Sequence, residues 1–256
     1  MTLFEALGFH WDQSQILASL PTYSLDRVCF RMHRMLVEFI WDAAVLEGNP
    51  LSFCEIKTLV DGVTVGGRKV SDQQQILNLV DGHRRLLSLL KSRQFIASSK
   101  TIFSQLNEII VHGESIDSGC FRGEGRESAK TPVINLGKLG HYTPISTSSG
   151  ASELNRVFQE GISALNSLVA FEKAAAYFLF GALQQFFFDG NKRTSRLMMN
   201  GVLMSHGIDA ISFPAAKADE FKDKMLRFYS SKDGTEMMRF IFECHPEADT
   251  AIHPVD

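Results

Sequence analysis

Apolar residues recur at every third or fourth position along most of the chain, a spacing that places them on one face of an α-helix. The first long example covers residues 24–46 and consists of Leu25, Val28, Cys29, Met32, Met35, Leu36, Phe39 and Ile40. Gly48 follows as a helix stop, and Pro50 does not allow the helix to continue. The pattern therefore predicts one helix that ends just before Gly48.

Capping residues and the same spacing predict the helices that follow. Ser52 precedes a short apolar helix, and Glu55 three residues later completes a capping box. Further helices are predicted after Ser71, after Ser99, over residues 152–168 and, as one or two helices, within residues 215–242.

Residues 115–150 break this helical pattern. The segment is rich in glycine, and it contains the short β-like stretch 131–134. Residues 142–145 are the predicted returning strand or the exit turn of a hairpin. The alternative interpretation is a surface insert without regular structure. A loop of this length in a compact domain is uncommon unless it has a function. The chain is therefore predicted to be mainly α-helical, with one small β-hairpin.

The centre of the chain is a short polar loop between two apolar helices. The first helix covers residues 174–183 and the second begins near Lys192. Between them lie Asp189, Gly190 and Asn191. The backbone N–H groups at the start of the second helix point away from it, and such a helix end can hold a phosphate.

Two arginines extend this loop. Arg193 and Arg196 are three residues apart, so both side chains leave the same face of the second helix. A carboxylate, free backbone amides and two guanidinium groups suit a metal-bound polyphosphate. The alternative is an ordinary helix-loop-helix with a glycine turn and a solvated basic face. The spacing alone leaves both interpretations open.

Composition narrows the class of protein without naming a function. The chain has 256 residues, of which 45% are hydrophobic and 21% are charged, as in an ordinary globular protein of one or two domains. The formal net charge of −3 gives no general affinity for nucleic acid or for anionic membranes. We see no signal peptide and no run of apolar residues that could span a membrane, so we expect a cytoplasmic protein. The four cysteines lack metal-ligand spacing and are expected to be reduced.

Residues 185–196 resemble the signature loop of the Fic family, usually written H-x-F-x-(D/E)-G-N-(G/K)-R-x-x-R. Seven positions match in register: Phe187, Asp189, Gly190, Asn191, Lys192, Arg193 and Arg196. One position departs from the pattern, because Gln185 stands where the family has histidine.

The resemblance implies the Fic (fido) fold, a helical bundle with one β-hairpin called the flap. It implies a single Fic-like domain over residues 1–256. Its expected parts are N-terminal helices over about 1–115 with an inhibitory helix near 35–48, a Fic core over about 116–245 with the flap at 119–145, and a tail at 246–256.

The resemblance also implies an activity, since most characterised Fic proteins transfer AMP from ATP to a hydroxyl side chain of a target protein. Asp189 then corresponds to the Mg²⁺ ligand, although turn chemistry also explains an Asp before a glycine. Nucleotide phosphates are expected at Gly190, Asn191, Lys192, Arg193 and Arg196. Gln185 occupies the position of the catalytic base, and an amide does not accept a proton near neutral pH.

Glu47 resembles the glutamate of the family's inhibitory helix. In that motif, (S/T)-x-x-x-E-(G/N), the glutamate pairs with the second signature arginine, here Arg196, and denies it to the nucleotide. Ala43 departs from the motif, because Ser or Thr is expected there. The alternative is a glutamate that merely precedes the helix stop at Gly48, although an acid is electrostatically unfavourable in a last helical turn.

Three hypotheses follow. The first is an ATP- and Mg²⁺-dependent AMP transferase that Glu47 inhibits and Gln185 impairs. The second is a catalytically inactive Fic pseudoenzyme that binds a nucleotide or a protein. The third is transfer of phosphate, phosphocholine or UMP instead of AMP. A target protein is expected to dock at the flap, homo-oligomerisation stays open, and no nucleic-acid or membrane partner is expected.

Overall fold

The computed structural model describes residues 2–16, 19–126 and 131–248. Residues 127–130 of the predicted flap and 249–256 of the predicted tail lie outside this part of the chain. Within it, the secondary structure consists of eleven α-helices, three short 3₁₀ turns and one two-stranded sheet. The mainly helical prediction is therefore confirmed.

The helices are, in chain order, α1 (Leu3–Leu7), α2 (Leu25–Arg34), α3 (Leu36–Leu46), α4 (Phe53–Val60), α5 (Val70–Lys91), α6 (Lys100–Ile110), α7 (Ser152–Leu165), α8 (Ala170–Gln184), α9 (Asn191–Ser205), α10 (Ala218–Ser231) and α11 (Thr235–Glu243). The strands are β1 (Ile134–Asn135) and β2 (His141–Tyr142).

α8 and α9 form the centre of the molecule and pack against each other more extensively than any other pair of elements in the described chain. α9 also packs on α5 and α6. A cluster of buried aromatic rings surrounds the connection between α8 and α9, and it consists of Phe103, Phe121, Phe158, Phe180, Phe186 and Phe187. The loop between these helices is therefore held by close packing on its apolar side.

The helix predicted over residues 24–46 is two helices. Met35 breaks it with φ −100° and ψ 19°, and its N–H donates to the carbonyl of Arg31. Neither proline nor glycine marks the break, so its cause is tertiary packing. α2 packs on α5 and α9, whereas α3 turns toward α4 and α5.

The N-terminal helix α1 was not predicted, although the sequence carries a signal for it. The Glu5 N–H donates to the Thr2 hydroxyl, and the Thr2 N–H donates to the Glu5 carboxylate at 2.7 Å. This reciprocal pair is the same capping box that marks α4 at Ser52 and Glu55.

The hairpin is shorter than predicted. Ile134 pairs with Tyr142 and Asn135 with His141 in an antiparallel register. The Tyr142 ring stacks on Tyr229 of α10, with 5.4 Å between the ring centroids. The strands therefore span residues 134–135 and 141–142, and the hairpin contacts the helical body through Ile134, Leu136 and Tyr142.

None of the helices in the described chain combines the length and the apolar character needed to cross a bilayer.

Candidate functional site

The central loop turns sharply between α8 and α9. α8 ends at Gln184, and Gln185 takes a left-handed conformation with φ 49°. Gly190 also has a positive φ of 73°, and a Cβ there would lie 2.4 Å from Cγ1 of Val111. Both the backbone angle and the close approach of Val111 therefore require glycine at this position.

The Asn191 side chain fixes the loop from inside. Its Oδ1 accepts the N–H of Phe187 at 2.9 Å, and its Nδ2 donates to the Phe187 carbonyl at 2.7 Å and to Oε1 of Gln185 at 3.0 Å. Within α9, the Thr194 N–H donates to the Gly190 carbonyl at 2.8 Å. The N–H groups of residues 191–193 precede this first helical bond, so the start of α9 keeps the geometry of an anion-binding end.

Asn107 of α6 supports the same loop from outside. Its Nδ2 donates to the Asp189 carbonyl at 2.9 Å and to the Thr194 hydroxyl at 3.1 Å, while its Oδ1 accepts the Gly119 N–H at 3.0 Å. Asn107 is fully buried, and the sequence analysis did not single it out. One amide thus links the loop to the segment that enters the hairpin.

Gln185 is buried, and its side chain is already engaged. Its Nε2 donates to the Ala182 carbonyl at 2.6 Å, and its Oε1 accepts from Asn191. The residue is 9% exposed. At the position where the family has its base, this chain therefore has an amide that links the end of α8 to the start of α9.

Arg122 anchors the same turn and is fully buried. Its guanidinium donates to the Gln185 carbonyl, to the Gln184 carbonyl at 3.3 Å and to the Ile145 carbonyl at 2.9 Å. Its backbone N–H donates to the Phe186 carbonyl at 2.8 Å. Burial lowers the pKa of Arg122 to about 10, which leaves the group charged at neutral pH.

Arg193 is enclosed by three carboxylates. Its Nη1 donates to Oε2 of Glu114 at 2.8 Å, its Nη2 lies 3.2 Å from Oδ2 of Asp189, and its Nε lies 3.8 Å from Oε2 of Glu47. The side chain is 3% exposed. Burial alone lowers the pKa of Arg193, but the three carboxylates outweigh burial and raise it.

Arg196 is the freer of the two arginines. Its Nη2 lies 3.9 Å from Oε1 of Glu47, which is an ion-pair distance but too long for a hydrogen bond. Among the described residues, neither this atom nor Nε of Arg193 has a hydrogen-bond partner. Burial lowers the pKa of Arg196, and the Glu47 carboxylate acts in the opposite direction. Two buried donors near the predicted phosphate position thus lack partners.

Glu47 lies at the end of α3, as the sequence analysis placed it. Its backbone caps the helix, and Gly48 follows with a left-handed φ of 73°. The carboxylate lies between the two arginines instead of bonding to Arg196 alone. Ala43, four residues earlier, lines a void of about 10 Å³ next to Arg193 and Arg196.

Asp189 is half-exposed at the rim of this group. Its Oδ1 accepts the Gly190 N–H at 2.6 Å, and its other oxygen faces Arg193. No group of three or more His, Cys, Asp or Glu side chains in the described chain is arranged to hold a metal ion. A Mg²⁺ ion that takes one carboxylate and completes its shell with phosphate oxygens and water is compatible with this single acid.

Glu114, like Asn107, is a site residue that no sequence pattern indicated. It follows α6, and its Oε1 accepts from Nδ2 of Asn78 at 3.2 Å. Asn78 also donates to the His112 carbonyl at 2.8 Å. No spacing signal in the sequence pairs residue 114 with residue 193, because the contact depends on how α5, α6 and α9 pack.

Three comparisons show which known proteins this chain resembles. The Fic/DOC family model matches residues 90–203. The protein adenylyltransferase Fic of Aedes aegypti is 25% identical over 215 residues, which cover 81% of this chain and 40% of that protein. The chain therefore spans about two fifths of the length of this curated relative.

Two solved structures share the fold. Fic-1 (residues 134–508) from C. elegans superposes with a TM-score of 0.67 at 17% identity, covering 93% of this chain and 68% of that one. A Fic domain-containing signaling protein from Bacteroides thetaiotaomicron gives the same TM-score at 17% identity, with 99% and 96% covered. Residues 90–203 of this chain are therefore similar to the Fic/DOC family, and the described chain shares the fold of these two solved structures.

Proposed function

We propose that this protein binds ATP with Mg²⁺ at the loop of residues 185–196 and transfers AMP to a hydroxyl side chain of a target protein. Glu47 holds the site in an inhibited state, and Gln185 slows the transfer. The observation that carries the proposal is the position of Glu47 between Arg193 and Arg196, each of which has a buried N–H without a hydrogen-bond partner among the described residues.

The two arginines supply the charge that a polyphosphate needs. A guanidinium buried in a dry cleft binds phosphate oxygens strongly and in pairs. Glu47 lies too far from either arginine to satisfy its N–H groups, so a phosphate that displaced this carboxylate would gain hydrogen bonds that Glu47 does not make. The backbone N–H groups at the start of α9 add further donors.

One side chain of this loop is suited to act as a ligand of the metal. Asp189 would bind the Mg²⁺ ion, which supplies neutralisation of the phosphate charge when it is present. The carboxylate of Asp189 is half-exposed and faces Arg193, so it can turn toward a ligand outside the loop. The backbone bond from Gly190 to Oδ1 keeps the side chain near the anion-binding end of α9.

Gln185 sets the rate in this proposal. The amide cannot take the proton of an incoming hydroxyl, and the loss of a general base typically costs roughly 10²–10⁴ in rate. Its side-chain oxygen accepts a hydrogen bond from Asn191, and its N–H donates to the Ala182 carbonyl. The Gln185 side chain therefore holds the loop in position. The remaining acceleration comes from orientation of the nucleotide and from the charges of the arginines.

The target protein would dock at the hairpin. Val133, just before β1, is 61% exposed, and Leu139, in the turn, is 53% exposed. Tyr142 attaches the hairpin to α10 and leaves these apolar side chains at the surface. An extended segment of a target can add to such a short hairpin through backbone hydrogen bonds.

The test compares two glutamates of α3. Calorimetry with ATP and Mg²⁺ is carried out on the wild type, on Glu47→Gln and on the control Glu38→Gln, because Glu38 is exposed on the same helix. Incorporation of labelled AMP into protein is measured in parallel. We expect Glu47→Gln alone to bind ATP more tightly and to raise labelling. Equal ATP affinity for all three proteins would contradict the inhibitory role, and the absence of any ATP binding would contradict the proposal as a whole.

A second candidate function is nucleotide binding without transfer. It is favoured by Gln185, whose amide is engaged in hydrogen bonds within the loop and cannot accept a proton near neutral pH. Tighter ATP binding by Glu47→Gln without incorporated label would select this function. The mass of any modified protein separates AMP transfer from transfer of UMP, phosphate or phosphocholine.

A further inference from the structure

A second hollow lies beside α3 and next to the void that Arg193 and Arg196 line. It has a volume of about 160 Å³ and is enclosed by the end of α2, the start of α3, residues 209–214 and the chain after α11. Much of its wall is apolar and is formed by Met32, Met35, Phe39, Pro214 and Pro246. The break at Met35 shapes this wall, because it separates the directions of α2 and α3.

The charges on the wall are unbalanced. Asp42 and Asp209 both line the cavity, and Arg31 is the basic residue that lines it in the described chain. Nη1 of Arg31 donates hydrogen bonds to Oδ2 of Asp209 at 2.6 Å and to Oε1 of Glu247 at 3.0 Å. Among the residues that line the cavity, one guanidinium thus stands against the carboxylates of Asp209 and Asp42, while Arg27 and Arg196 act on these two acids from outside the lining.

Asp209 has an unsatisfied oxygen. The residue is 3% exposed, and its Oδ1 has no hydrogen-bond partner among the described residues. A buried carboxylate oxygen without a partner costs free energy, so such an atom indicates a missing water, ion or ligand. Burial also raises the pKa of the Asp209 carboxyl above its ordinary value, an effect that a nearby cation would reverse.

We propose that this cavity binds a small organic cation, namely a protonated amine carried on an apolar body. The ammonium group would neutralise the acidic wall formed by Asp209 and Asp42. The apolar body would contact Met32, Met35 and the ring of Phe39, since methionine side chains adapt to varied shapes and an aromatic face attracts a cation.

Size and charge exclude other classes of ligand. A water molecule takes about 30 Å³ of liquid, so the cavity has room for roughly five waters or a ligand of comparable volume. A nucleotide would extend beyond this volume and bring its phosphates next to the carboxylates of the lining. An anion would face the two carboxylates of the lining, and a neutral apolar molecule would leave Oδ1 of Asp209 without a hydrogen-bond partner.

The cavity is adjacent to the arginines. Phe39 and Ser212 line both this cavity and the void beside Arg196. The Ser212 hydroxyl donates to Asp42 at 2.7 Å, and Asp42 lies on the same helix that ends at Glu47. A bound cation would therefore stabilise α3 in its present position and weaken ATP binding. This consequence rests on the proposed function, whereas binding of the cation does not.

The experiment uses a matched pair of probes on the full chain. Calorimetry without nucleotide measures 2-phenylethylamine and its neutral analogue 2-phenylethanol at pH 7. We expect the amine to bind at least tenfold more tightly than the alcohol. Ala210→Leu, which fills the cavity wall, should abolish amine binding, whereas Ala164→Leu in a groove elsewhere should leave it unchanged.

Asp209→Asn tests the charge and is expected to weaken amine binding at least tenfold, the size of one charge-assisted hydrogen bond. Asp209→Asn also weakens the ion pair with Arg31. Ala210→Leu leaves that ion pair in place, so it tests amine binding separately. Equal affinity for amine and alcohol, unchanged binding in Ala210→Leu or no amine binding to the wild type would each overturn the proposal. A final titration of ATP with and without the amine measures whether the bound cation weakens ATP binding. If it does not, the coupling to Glu47 is wrong, but the cation site itself is not contradicted.

Discussion

Glu114 holds Arg193 more closely than Glu47 does. The Nη1 of Arg193 donates to Glu114 at 2.8 Å, whereas the nearest oxygen of Glu47 lies 3.8 Å from Nε. The Glu114 carboxylate is in turn fixed by Asn78 of α5. The tightest contact on Arg193 therefore comes from a residue outside α3 and its cap.

The first prediction concerns this second carboxylate. Glu114→Gln should tighten ATP binding roughly tenfold, because the variant removes a charge-assisted hydrogen bond that competes with phosphate for Arg193. The double variant with Glu47→Gln should bind more tightly than either single variant. Calorimetry with ATP and Mg²⁺ measures these affinities, and Glu108→Gln is the control because Glu108 is exposed on α6. Weaker ATP binding by Glu114→Gln would show that Glu114 supports the site instead of blocking it.

The second prediction concerns the base. Gln185→His places an imidazole where the amide now lies, and imidazole accepts a proton near neutral pH. In the Glu47→Gln background we expect AMP incorporation to rise by roughly 10²–10⁴. Gln185→Asn is the control, since it changes the side chain without adding a base. If the histidine variant folds and binds ATP but stays without transfer activity, residues other than Gln185 prevent the reaction.

The third prediction separates backbone strain from crowding. Gly190 and Gly62 both have a positive φ, of 73° and 86°, but a Cβ on Gly62 would meet nothing within 4 Å. Gly62→Ala should lower the free energy of unfolding by about 1–2 kcal/mol, because alanine is strained in the left-handed conformation. Gly190→Ala should cost about 1–3 kcal/mol more, because its Cβ meets Val111. Urea unfolding of both variants measures the difference, and equal losses would mean that the loop moves to accept the methyl group.

The fourth prediction concerns pH. Burial lowers the pKa of His83 and of His245 to about 4, from 6.5 in an unfolded chain. The unfolded state then binds protons before the folded state does, so stability is complete above pH 6.5 and falls as the pH drops toward 4. Between pH 7.0 and 5.5 we expect a loss of roughly 1 kcal/mol for each of the two histidines.

Urea unfolding at the two pH values measures this loss. His245→Asn should remove about half of it, because Asn does not titrate but can still accept the Glu247 N–H that now donates to His245 at 3.1 Å. Asp42 and Asp209, whose pKa values burial raises, act in the opposite direction, because their folded carboxyl groups take up protons more readily than the unfolded ones. Stability that is unchanged between the two pH values would contradict the buried neutral state of both rings.

Local signals in the sequence were sufficient for much of the fold. The capping residues Ser52 and Ser99 mark the starts of α4 and α6 where they were predicted. The turn at Gly190 and the start of α9 also follow from local chemistry, since glycine tolerates the left-handed conformation and the polar loop interrupts two apolar helices. These features depend on neighbours in sequence, and such neighbours are visible in the chain itself.

Contacts between distant elements were not predictable in the same way. The break at Met35 has neither proline nor glycine, and besides their shared contact with α5, α2 packs on α9 whereas α3 packs on α4. Glu114 reaches Arg193 over 79 positions of sequence. The carbonyl partners of Arg122 are set by how the hairpin segment lies across the end of α8. Such pairings depend on tertiary packing. The periodicity of apolar residues within a helix does not show which distant residues will meet.

Arg122 joins the entry and the exit of the hairpin to α8 through carbonyl oxygens instead of carboxylates. Carbonyl groups do not take up protons in mild acid, and dissolved ions screen a buried contact only weakly. The exposed pair of Arg156 with Glu153, by comparison, weakens with both acid and salt. The hairpin is therefore expected to keep its place beside the loop under acidic or saline conditions that loosen the protein's outer ion pairs.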